Sequence, residues 1–193
     1  MVLVHQSSIR YALILSLVLF AAGLSTTIGQ QPKLEPHTVC ELTSNLKEYN
    51  GKTIAVVGWL GATMEGAWLL GEDCGQKLRT NDFVWPNTLW LQLEPSAPAM
   101  ARAESLIDES LVRQKLTEVA ARTKSPSKQI ELAVLYGRLE TMDTFETYIG
   151  GDGKVHGIGF GHLNSAPAQL VFSDRVIKTL FEKDVKDASK RKR

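Results

Sequence analysis

Residues 52–62, KTIAVVGWLGA, place Ile54, Val56 and Leu60 on one face and Ala55, Val57 and Trp59 on the other, the alternation of a strand rich in β-branched residues. Gly58 interrupts the run and predicts a bulge or a sharp bend. After a turn around Glu65 and Gly66, GAWLLGE reads as a second short strand. TLWLQLEP, residues 88–95, reads as a third, with Leu89, Leu91 and Leu93 alternating with Trp90 and Gln92. From residue 98 to 123 the period changes to that of a helix, with an apolar stripe of Met100, Ala103, Ile107, Leu111, Leu116 and Val119 among strong helix formers. Residues 128–142 return to strand character, apolar on both faces over 132–136. A fifth strand is predicted over 168–180, AQLVFSDRVIKTL, with Leu170, Phe172 and Val176 on one side. Ahead of them all, Val39, Leu42, Leu46 and Tyr49 predict a short lead-in helix with Thr38 as its cap and Asn50 and Gly51 at its end. Residues 73–87 and 150–167 are expected to be loops.

Three strands, a helix and two strands follow the order of the OB-fold, a partly open five-stranded Greek-key barrel. The expected fold is therefore mainly β with helices: an OB-like five-stranded Greek-key barrel, with a short lead-in helix and a long helix between strands 3 and 4. Four segments carry a resemblance: VCELTSNLKEYNGKTIAVVGWL, the WLLGEDC cysteine, LYGRLET and GFGHLNSAPAQLVF. In these the chain resembles uncharacterised exported bacterial proteins related to OB-fold domains, over roughly residues 38–176. The resemblance implies a barrel and no particular reaction. The helix of residues 97–123 is longer than that family suggests.

The amino terminus changes the picture. Arg10 precedes an apolar run from Tyr11 to Leu24, and the small residues Ser25, Thr26, Thr27 and Gly29 follow it. That is the pattern of a secretory signal peptide, and the run is shorter than the roughly 20 apolar residues a membrane span needs. Residues 1–29 are thus expected to be a signal peptide, with an uncleaved anchor as the alternative; membrane contact is expected only if the segment is retained. Residues 30–37 read as a linker, 38–181 as a single OB-like domain and 182–193 as a charged, disordered tail ending in KRKR. An exported, periplasmic or extracellular location follows.

The two cysteines, Cys40 and Cys74, are the whole supply. In an exported chain they favour a disulfide, which at this spacing contributes roughly 3 to 4 kcal/mol by the loop-entropy argument. Two free buried thiols, or half of a metal site, are the alternatives. The net charge of +1 conceals an asymmetry: residues 30–181 hold 15 Lys and Arg against 18 Asp and Glu, and the tail holds 6 against 3. A mildly acidic folded part disfavours nucleic acid, which needs a basic groove.

Little in the sequence carries chemistry. GIGFGHLN, residues 157–164, lacks the spacing of a phosphate-binding glycine loop and is followed by a strand rather than a helix. His156 and His162, with Asp152, are candidate metal ligands, and their alternative role is to lock the loop by hydrogen bonds. No GxSxG elbow occurs. Trp59 and Trp90 remain as candidate ligand-binding residues, since both project outward if the strand leucines face the barrel interior. The alternative is that a helix covers them. The leading expectation is an exported non-enzymatic binding or interaction module without a cofactor, its partner a protein, glycan or small molecule. A small metal-dependent hydrolase using His156 and His162, or a structural envelope protein, are the other two readings.

Overall fold

The computed structural model describes residues 33–71, 74–95, 107–122, 131–173 and 176–180. The signal-peptide segment, the first part of the long helix (residues 98–106) and the charged tail lie outside the described residues.

The chain enters through β1 (Pro36–Thr38), which pairs in parallel with the first long strand, Pro36 opposite Ala55 and Thr38 opposite Val57. Part of the expected linker is therefore an edge strand, where a proline at the first position is tolerated because no ladder N–H is lost. Thr38 then caps α1 (Val39–Ser44). Its hydroxyl accepts from the Glu41 N–H at 3.1 Å, and the Glu41 carboxylate accepts from the Thr38 N–H at 2.7 Å, a reciprocal capping box. The predicted single lead-in helix is broken at Asn45, whose φ of −148° and ψ of 50° are not helical, and a separate turn, α2 (Leu46–Tyr49), follows. Gly51, at φ +74°, ends it, and its N–H donates to the Leu139 carbonyl.

The remaining elements are β2 (Thr53–Thr63), β3 (Gly66–Leu70), β4 (Arg79–Thr80), β5 (Phe83–Val84), β6 (Thr88–Leu93), α3 (Glu109–Arg122), β7 (Glu131–Thr141), β8 (Glu146–Ile149), β9 (Val155–Ile158), β10 (Ala168–Phe172) and β11 (Val176–Leu180). Strands β2, β3, β6, β10 and β7 pair in that order, and β7 returns to β2, so five strands close into a barrel. It is a mixed barrel, because β6 and β10 run parallel while the other barrel pairs are antiparallel. Gly58 makes no bulge against β7: the register runs unbroken through Val57–Val134, Gly58–Ala133 and Trp59–Leu132. What the missing side chain provides is room, since a Cβ there would press on Val39 of α1.

Three predicted segments are subdivided. The fifth strand is two: β10 pairs with the second half of β7 and β11 with its first half. The 150–167 loop holds β9, which forms a hairpin with β8 just ahead of the loop, and the 73–87 loop holds the β4–β5 hairpin. Within the described residues the predicted helix is represented by α3, which begins after Ile107 bridges to Leu34 and Asp108 caps the turn, its carboxylate accepting from the Ser110 N–H at 2.9 Å. The buried stripe of α3 is Val112 and Leu116 with Val119 and Ala120 beside them, so Leu111 is not its centre.

Two apolar clusters result. Inside the barrel, Ile54, Val56, Leu69, Leu89, Leu135 and Leu170 meet, and Val39, Leu42 and Leu46 close one end. Outside, α3 lays Val112 and Leu116 over Ala55, Val57, Trp59, Leu132 and Val134 of β2 and β7. Each fully buried side chain of this size contributes about 1.5–3 kcal/mol relative to exposure. Cys40 and Cys74 lie at bonding distance with Cα atoms 5.2 Å apart, tying α1 to the loop after β3. Lys115 of α3 pairs with Glu41 of the capping box, fastening the covering helix to the lead-in helix.

Candidate functional site

Among the described residues, α3 decides which outer face stays open. Trp59 is 2 % exposed beneath α3, so its expected place on a ligand face is overturned: the ring belongs to the core between helix and sheet. Trp90 lies on the outer face of β3 and β6, which α3 does not cover. Directly opposite it in the β3–β6 register stands Trp68, and the two rings lie 6.4 Å apart with planes 27° from parallel. Both are half-buried.

Trp90 is seated on backbone. Gly66, at φ +148°, and Gly161, at φ +76°, approach so closely that a Cβ at either would sit inside the indole ring. Both positions therefore need glycine for conformation and for space. The turn around Gly161 is pinned by a pair of backbone hydrogen bonds, Phe160 N–H to the Ala166 carbonyl at 2.8 Å and Ala166 N–H to the Phe160 carbonyl at 3.1 Å. At its tip, His162–Asn164 form a 3-10 turn. Leu163 there is 79 % exposed at φ +57°, a backbone region that bulky residues rarely adopt. An apolar side chain held outward at a conformational cost is a mark of functional sites.

Together these groups line a cleft of about 310 Å³, walled by Trp68, Trp90, Pro86 and Leu163 with Glu65 and His162 at its edge. His162 Nε2 lies 3.6 Å from Glu65 Oε1, so the turn between β2 and β3 faces the loop before β10 across the cleft. Trp85 supports this wall from behind. Fully buried, it donates from Nε1 to the Thr80 hydroxyl at 3.0 Å and packs edge-on against Phe83 and Phe145. Gly157 and Gly159 lie against its ring, leaving no room for a Cβ. The glycines of GIGFGH thus serve two tryptophans, Gly157 and Gly159 for Trp85 and Gly161 for Trp90.

The two candidate metal ligands have separate partners. His156, on β9, hydrogen-bonds Asp152 at 3.0 Å and stacks on Tyr148 at 5.4 Å, whereas His162 faces Glu65. The His156 hydrogen bond, with a second from the Lys154 N–H, holds the Asp152 carboxyl below the usual aspartate range. Among the described residues no three His, Cys, Asp or Glu side chains are grouped as a metal-binding set.

Trp68, Glu65 and Trp85 were not among the residues the sequence nominated. The period-2 pattern of GAWLLGE does put Trp68 opposite Ala67 and Leu69, and that signal was available. Its pairing with Trp90 depends on a register set across the intervening loop. Compared with family models, curated proteins and solved structures, the chain matches none.

Proposed function

We propose that this protein is an exported, non-enzymatic binding module on an OB-like Greek-key barrel, with the Trp68–Trp90 cleft as its ligand site. The observation that carries the reading is the cleft itself. A concave, mostly apolar surface with two aromatic rings and a few polar groups at its edge is what ligand sites share, and its size falls at the lower end of their range of about 300–1,000 Å³. OB-like barrels use the outer sheet face between strands 2 and 3 in this way; β3 and β6 are the second and third barrel strands here. A long helix between barrel strands 3 and 4 supports the same assignment, as does the bridged cysteine pair for an oxidising compartment.

Thermal-shift screening of a fragment library tests it. Ligands of the cleft raise the melting temperature of the wild-type protein by mass action, and Trp68→Ala abolishes that rise. A library without hits, or hits indifferent to Trp68→Ala, removes the cleft as a ligand site.

A further inference from the structure

The β8–β9 hairpin carries three of the six large apolar side chains exposed among the described residues, Tyr148, Ile149 and Ile158. Its cross-strand register sorts two faces. Thr147 opposite Gly157 belongs to the inner one, which is fixed to the body: Asn81 Nδ2 donates to the Thr147 hydroxyl at 3.0 Å, and Gly157 lies against Phe83 and Trp85. Glu146 opposite Ile158 and Tyr148 opposite His156 make the outer face, on which Glu146, Tyr148 and Ile158 stay exposed. That face runs into a groove of about 550 Å³ whose walls combine Met142 and Ile158 with Asp143, Glu146 and Asn50. The groove shares no residue with the Trp68–Trp90 cleft.

We infer that this face docks an extended basic segment of a protein partner, an arginine or lysine side chain entering the groove and apolar side chains lying over Tyr148 and Ile158. Grouped apolar side chains on a fixed support mark interaction surfaces, whereas scattered ones need no explanation. Charge then selects the partner. Residues 142–158 hold three carboxylates against one fixed cation, Lys154, and no Lys or Arg lines the groove. Neither Asp143 nor Glu146 makes an ion pair among the described residues. An acidic partner is repelled, and a purely apolar one would desolvate those carboxylates without pairing them. A bare metal ion is a poorer fit, since among the described residues no three ligand side chains are grouped. Tyr148 is set in place before binding. Its ring stacks on His156 at 5.4 Å with planes 27° apart, and Asp152 holds the imidazole at 3.0 Å. Tyrosines so fixed give up little rotamer freedom and are frequent anchors of interfaces.

The test titrates full-length protein into two fluorescein-labelled decapeptides, one of alternating arginine and valine and one of alternating glutamate and valine, read by fluorescence anisotropy. The arginine peptide should bind saturably, and more weakly as sodium chloride rises; the glutamate peptide should not bind. The Asp143→Asn, Glu146→Gln double variant should weaken binding roughly tenfold, and Tyr148→Ala severalfold. All three positions are exposed, so folding is not at stake in these variants. Absence of saturable binding by the arginine peptide overturns the inference, as does binding indifferent to the double variant. Binding that survives the double variant and is lost in Trp68→Ala moves the peptide to the cleft and removes the hairpin as its site. Spermidine and calcium chloride serve as competitors: displacement by either at the peptide's own concentration marks a site for free cations and overturns the protein partner.

Discussion

Trp59 and Trp90 leave the same barrel surface and meet different neighbours, and substitution should separate them. Trp59→Ala removes a ring buried beneath α3 and should cost about 3–5 kcal/mol in urea unfolding, as large-to-small core changes do. Trp59→Phe should cost far less, about 1 kcal/mol or under, because the indole Nε1 it removes is buried with no hydrogen-bond acceptor among the described residues. Gly161→Ala is expected to destabilise by about 1–3 kcal/mol, since it adds strain at φ +76° and drives a methyl group into Trp90. Equal stability of Gly161→Ala and wild type would mean that the turn is free to move away from the ring. None of these environments can be read from the residue types. Gly58, Gly157 and Gly159 all invite a conformational explanation in the sequence, yet each sits where a neighbouring side chain or carbonyl needs the space.

At the scale of elements, Glu41 joins three of them. It closes the capping box of α1, accepts from the Thr38 N–H that ends β1, and pairs with Lys115 of α3. Burial opposes its ionisation, but the Lys115 pair and the Thr38 hydrogen bonds outweigh it and hold the carboxyl below the usual glutamate range. A depressed carboxylate stabilises the fold above its unfolded pKa, and that contribution is lost as pH falls through the lower, folded value. The destabilisation by Glu41→Gln should therefore be about 0.5–1 kcal/mol at neutral pH, modest because the pair is partly screened by solvent. It should shrink as pH falls below about 4.3, where the unfolded carboxyl begins to take up protons, and be lost as pH passes through the lower, folded value. A pH-independent difference in urea unfolding would show that Glu41 acts through shape alone. The capping box was foreshadowed by Thr38 three residues before Glu41, a local spacing. The Lys115 pair was not, because 74 residues separate its members and only packing brings α3 to α1.

For the whole molecule, the bridge between Cys40 and Cys74 ties the element that plugs the barrel to the loop leaving β3. Unreduced, unfolded protein should show no reactive thiol, and the Cys40→Ser, Cys74→Ser double variant should lose roughly 3–4 kcal/mol. Two titratable thiols would refute the bridge. The five barrel strands and the helix ahead of the fourth follow from chain order and period, because alternation and helical spacing act over a few residues and survive without tertiary context. So does the interior set of Ile54, Val56, Leu89 and Leu170, since one apolar face of each strand has nowhere to go but inward. Which outer face stays open had to come from folding. An outward Trp59 and an outward Trp90 look alike along the chain, and the difference is that α3 docks on β2 and β7, where Val112 and Leu116 find apolar partners, and does not reach Trp68 of β3 or Trp90 of β6. GIGFGHLN is decided the same way: its glycines are shaped by the two tryptophans folded against them, contacts that no local pattern encodes.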